Sequence, residues 1–81
     1  MEMDQREQLE IIKMIIAEEM DLNAADITEE MSLDQDLDMD QNSIMQVLAA
    51  CEVEFDVTYE QEDYEDIKTV GDILRSLGEW E

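Results

Sequence analysis

An all-α fold, an irregular four-helix bundle with a long first loop, is predicted by three observations. The 81 residues contain no proline and only two glycines. Apolar residues recur at helical spacing in separate segments, while only Val53–Tyr59 alternates cleanly enough to suggest a strand. Between the first two helical stripes lies a long acidic stretch carrying isolated apolar residues.

The first helix is expected over Gln5–Met20, where Leu9, Ile12, Ile16 and Met20, joined by Ile11, Ile15 and Ala17, form a wide apolar stripe. Asp4 and Glu7 suit its positive end, with Met1–Asp4 read as a frayed start. Arg6 with Glu10, and Glu10 with Lys13, are spaced to pair across a turn. The helix should stop near Asp21-Leu22-Asn23. The segment that follows, to about Asp40, has Ile27, Met31, Leu33, Leu37 and Met39 as anchors, expected to tuck inward as it crosses the bundle.

Asp40 is a suitable N-cap for a second helix over Gln41–Phe55. Its buried stripe is Ile44, Val47, Leu48, Cys51 and Phe55, and Ala49 and Ala50 would let a neighbouring helix come close. Gln41 through Cys51 carries no charge. Asp56–Tyr59 reads as an extended connector, Glu60–Ile67 as a short helix with Tyr64 inward. In the last helix Val70, Ile73, Leu74 and Leu77 face the core up to Gly78. Thr69 and Asp72 are spaced as a capping box at its start, and Trp80 lies beyond its end. The methionines, Met14, Met20, Met31, Met39 and Met45 among them, are expected to fill gaps in a small core. Length and the lack of a linker imply a single domain over 1–81.

Twenty-five acids against four bases give a net charge of −21, with no histidine. That field disfavours nucleic acid and anionic membranes and favours basic protein surfaces. No apolar run approaches the roughly 20 residues of a membrane span, and no signal-peptide pattern opens the chain. The lone Cys51 excludes an internal disulfide and fits a reducing, cytoplasmic setting. Without a histidine base, nucleophilic catalysis lacks its usual parts, so no enzyme and no catalytic residue is expected. Asp34, Asp36, Asp38 and Asp40 alternate like calcium ligands, yet both registers fail the EF-hand pattern. Starting at Asp34 places Met39 sixth and Met45 twelfth, and starting at Asp36 places Gln41 and Val47 there. No dedicated metal site is expected.

Several segments together carry a resemblance. They are Ile15–Met20, Asp26-Ile27-Thr28, Leu37-Asp38-Met39-Asp40, Glu52–Asp56 and Ile67–Asp72, in matching spacing without a gap. Over nearly its whole length the chain resembles acyl carrier proteins. The resemblance implies a four-helix bundle that carries acyl chains for fatty acid or related biosynthesis. The chains ride as thioesters on 4'-phosphopantetheine, attached to the serine of an Asp-Ser-Leu or Asp-Ser-Ile motif. Asp40 matches the motif's aspartate, and Gln41 stands at the position of the modified serine. Ser43 offers a hydroxyl two residues on, roughly 200° further around the helix. Asp38 replaces the family's usual glycine after Leu37, which would loosen the approach to the helix. Implied partners are a phosphopantetheinyl transferase and acyl-chain-processing enzymes with basic surfaces, met by a monomeric carrier. The residues alone also suit a non-carrier interaction module using the uncharged second helix or the acidic loop, or an acidic mimic of nucleic acid.

Overall fold

The structure is a computed structural model that describes residues 4–78. It contains α1 (Gln5–Met20), a short 3-10 turn (Ala24–Asp26), α2 (Gln41–Phe55), α3 (Gln61–Asp66) and α4 (Val70–Gly78). The predicted helices are present, with α3 one residue shorter at each end. Met1–Met3 and Trp80 lie outside the described residues.

Helix α1 packs against both α2 and α4. Ile12 and Ile16 of α1, Val47, Leu48 and Cys51 of α2, and Val70, Ile73, Leu74 and Leu77 of α4 meet in one apolar core. No charged or polar side chain among the described residues is fully buried there. Burial of these side chains is the main stabilising term, because each contributes about 1.5–3 kcal/mol of transfer energy, whereas an exposed helical ion pair gives a few tenths. Of the ion pairs expected on α1, the one that closes is Lys13–Glu10, at 3.8 Å.

Helix ends are set by aspartates. Asp4, expected in a frayed start, instead caps α1: its carboxylate accepts the Glu7 N–H at 2.9 Å. A carboxylate here satisfies an otherwise free amide and sits at the positive helix end. Asp21 and Asp56 close α1 and α2 with φ of 57° and 56°. That left-handed conformation turns the next N–H back, so Leu22 donates to the Ala17 carbonyl at 2.9 Å and Val57 to Glu52 at 3.1 Å. Thr69 and Asp72 form the predicted capping box, each side chain accepting the other's N–H at 3.1 Å.

The long loop is held by side chains and by backbone. Ile27, Leu33, Leu37 and Met39 are buried and Met31 partly so, as their isolated placement predicts. Their backbone is clasped to the start of α4. Leu33 N–H donates to Lys68 O at 2.9 Å, Val70 N–H to Met31 O at 3.1 Å, and Gly71 N–H to Glu29 O at 2.8 Å, beside an antiparallel bridge between Ser32 and Thr69. A β-carbon on Gly71 would lie 2.9 Å from Glu29 Cγ and 3.2 Å from its carbonyl oxygen, so a larger residue would press on this crossing.

Three packing expectations are corrected. Ala49 and Ala50 do not sit at a helix crossing: both are exposed, because the register that buries Val47, Leu48 and Cys51 turns them outward at 100° per residue. Met14 and Met45 are not core fillers, being 55% and 48% exposed, whereas Met39 is buried and Met20 and Met31 pack against the core. The Asp56–Tyr59 connector is more than a spacer, since Val57 and Tyr59 are buried. Tyr59 donates its N–H to Glu52 Oε2 at 2.7 Å and pairs its hydroxyl with Ser76 Oγ at 3.0 Å.

Candidate functional site

The approach to α2 is a tight turn with alternating anchors. Leu37 and Met39 are buried, and the amides of Asp36 and Leu37 both reach the Ser32 carbonyl at 3.1 Å. Asp38, exposed between the two anchors, adopts φ 55°. This left-handed residue lets the chain turn so that Asp40 arrives in extended conformation as the N-cap. Its Oδ1 accepts the Ser43 N–H at 2.8 Å. That amide, helped by the Ser43 hydroxyl, holds the Asp40 carboxyl below its ordinary value of 3.8.

Gln41 is the first residue of α2 and is exposed; Asn42 beside it is exposed too. Ser43 is half-buried, with its N–H engaged on Asp40. Gln41 lines an open cavity of about 830 Å³ between the loop, the start of α2 and α3, and Ser43 is not among the lining residues. The cavity's apolar wall comes from Leu33, Met39, Ile44, Met45, Tyr64 and Ile67, with Lys68 at the same hollow. The structure therefore brings Asp40, Gln41 and Ser43 into one helical turn, but only Gln41 opens onto the cavity. Tyr64 and Lys68 could not be assigned to this place from sequence, because α3 and the α4 approach reach it only through the tertiary fold.

The loop carboxylates do not converge. Asp34, Asp36 and Asp38 are exposed, Asp36 accepting the Ser32 N–H at 2.8 Å. Among the described residues no three His, Cys, Asp or Glu side chains gather in a way that could hold a metal ion. Cys51 is buried in the core, and burial, reinforced by Glu54 and Glu52, pushes its thiol up to about 12. A thiol so placed is not a nucleophile at neutral pH.

The profile of a family described as the phosphopantetheine attachment site matches residues 10–77. The chain belongs to this acyl carrier family. The acyl carrier protein of Saccharopolyspora erythraea is 38% identical over 72 residues, covering 89% of this chain and 76% of the relative. That of Exiguobacterium sp. is 35% identical over 63 residues, covering 78% and 80%. A solved acyl carrier protein from Enterococcus faecalis superimposes with a TM-score of 0.76 at 31% identity, covering 93% of this chain and 95% of that one. Acyl carriers are carriers rather than enzymes, and 4'-phosphopantetheine is the family's usual cofactor. Family members work with acyl-processing enzymes and with the transferase that installs the arm. Among the described residues no helix is long and apolar enough to cross a membrane.

Proposed function

We propose that this chain is an acyl-carrier-family protein that has lost the attachment of its own arm at Gln41, while keeping the scaffold that presents it. The observation that carries this reading is the side chain at the exposed first residue of α2, beside the capping Asp40 and the cavity. A carboxamide has no hydroxyl to form a phosphodiester, so the residue standing there does not fit 4'-phosphopantetheine. Ser43 is a poor substitute on two grounds: it is half-buried, and it lies roughly 200° around the helix from Gln41. Its hydroxyl also contributes to holding Asp40 ionised, which ties it to the cap.

On this reading the protein meets the basic surfaces of acyl-processing enzymes, or of a phosphopantetheinyl transferase, as a monomeric cytoplasmic protein. A net charge of −21 supports attraction to basic partners and repulsion between copies. The test is intact mass after incubation with coenzyme A and a phosphopantetheinyl transferase. The unaltered chain is expected to gain nothing, and Gln41→Ser to gain one phosphopantetheinyl group. A gain on the unaltered chain that disappears in Ser43→Ala would overturn the reading.

A further inference from the structure

Among the described residues, two methionines stand in solvent: Met14 on α1, 55% exposed, and Met45 on α2, 48% exposed. The others are covered, Met39 at 3% exposure and Met20 and Met31 packed partly buried against the core. The two exposed side chains differ in where they stand. Met45 belongs to the apolar wall of the cavity beside Gln41, together with Ile44, Tyr64 and Ile67, whereas Met14 is not among the lining residues. The remaining sulfur, Cys51, is buried in the core. A thioether needs no deprotonation to react with an oxidant, so access decides which methionine is met first.

We infer that Met45 is an oxidation-sensitive element of the cavity wall, converted to its sulfoxide by hydrogen peroxide or an organic hydroperoxide, and that this conversion weakens the cavity's hold on apolar groups. In the step, the sulfur lone pair attacks one peroxide oxygen and the O–O bond breaks. The proton of the transferred hydroxyl goes to the departing oxygen, which leaves as water or an alcohol; sulfur is oxidised by two electrons and the peroxide reduced. A flexible apolar side chain becomes a polar one. Its new oxygen accepts hydrogen bonds from water, and an apolar occupant of the cavity must strip that water away. The fold is spared, because Met45 takes no part in the buried stripe of Val47, Leu48 and Cys51. A sulfoxide at Met39 would instead set a polar oxygen inside the core and destabilise it. Hydroperoxides are neutral, so a net charge of −21 does not hold them off as it would an anionic oxidant.

The test treats the full chain with dilute hydrogen peroxide and follows each methionine by peptide mass. Met14 and Met45 are expected to gain one oxygen each well before Met39, with Cys51 still a free thiol and the melting temperature unchanged at that stage. The neutral solvatochromic dye Nile red then probes the cavity, NMR shifts at Ile44, Tyr64 and Ile67 placing it there. Oxidation should weaken dye binding severalfold in the unaltered chain and in Met14→Leu, and leave Met45→Leu unaffected. The inference is overturned if Met45 reacts no faster than Met39, or if the first oxidation lowers the melting temperature. It is equally overturned if the dye does not bind at those residues, or if Met45→Leu loses binding as readily as the unaltered chain. None of these readouts involves attachment of an arm, so their failure is separate from failure of the mass test at Gln41.

Discussion

Asp38 shows what one backbone angle asks of a sequence. Its φ of 55° lies where a β-carbon crowds the following carbonyl, and aspartate tolerates this better than most side chains. The substitution of glycine by Asp38 looked, in sequence, like a looser approach to α2. The geometry gives another reason for a glycine preference, which is the left-handed turn between the buried Leu37 and Met39. Asp38→Gly is therefore expected to stabilise the protein by about 1 kcal/mol or less, net of glycine's greater freedom when unfolded, read from denaturant midpoints. Tyr59 makes a complementary case. Burial pushes its phenol up to about 12, partly offset by the Ser76 hydroxyl, so it stays a neutral hydrogen-bonding group. Tyr59→Phe should cost only about 1 kcal/mol in chemical denaturation. The loss is small because Ser76 keeps its second bond, to the Ile73 carbonyl at 2.6 Å.

Among elements, the clasp between the long loop and the start of α4 holds the loop against the helices. Alanine is the better helix former by about 1 kcal/mol, so an unhindered Gly71→Ala would stabilise α4. Here the added methyl would meet Glu29 Cγ at 2.9 Å, beside a carbonyl oxygen that is already held by the Gly71 N–H at 2.8 Å. The backbone atom has little room to yield, so Gly71→Ala is expected to lower the melting temperature. Adding Glu29→Ala removes the Cγ contact and should recover part of the loss, a coupling that a double-mutant cycle measures directly. Asp40 caps α2 at the far end of the loop, and Asp72 caps α4 beside the clasp. Asp72 is lowered even though burial raises it, because the amides of Lys68 and Thr69 and the Arg75 guanidinium outweigh that burial. Both depressed carboxyls contribute stability that is fully present above the ordinary 3.8 and is lost as pH falls through their lowered values.

For the whole molecule, that loss competes with relief of charge repulsion. As pH falls from neutrality, protonation begins to reduce a net charge of −21 before the capping carboxylates are neutralised. The melting temperature should therefore rise on mild acidification and fall only below about pH 4. A decline beginning at neutral pH would mean that repulsion contributes little. Added salt or millimolar magnesium should raise the melting temperature at neutral pH by screening the same charges. On the alkaline side, burial raises the pKa of both Cys51 and Tyr59 to about 12, so the stability each contributes is present below its ordinary value, 9.0 or 10.0, and is lost as pH rises toward 12.

Helix order, helix limits and the core-facing stripes were determined by sequence alone, because burial at 3.6-residue spacing writes itself into the positions of Ile12, Ile16, Val47, Leu48, Ile73 and Leu77. The same holds for the cap at Asp40 and the reciprocal pair Thr69–Asp72, whose bonds close within one helical turn. The identity of Gln41 beside that cap is likewise a fact of sequence. Other features depended on residues far apart in the chain. Only the tertiary structure decided that Val57 and Tyr59 belong to the core, and that Glu29–Leu33 is clasped by Lys68–Gly71. Those contacts involve single side chains or backbone groups in irregular segments, where no repeating period marks which face is buried. The tertiary structure also placed Gln41, rather than Ser43, on the cavity and turned Ala49 and Ala50 to solvent. A helix's periodicity says which residues share a face; what that face meets is settled only when α1, α3, α4 and the loop have packed around it.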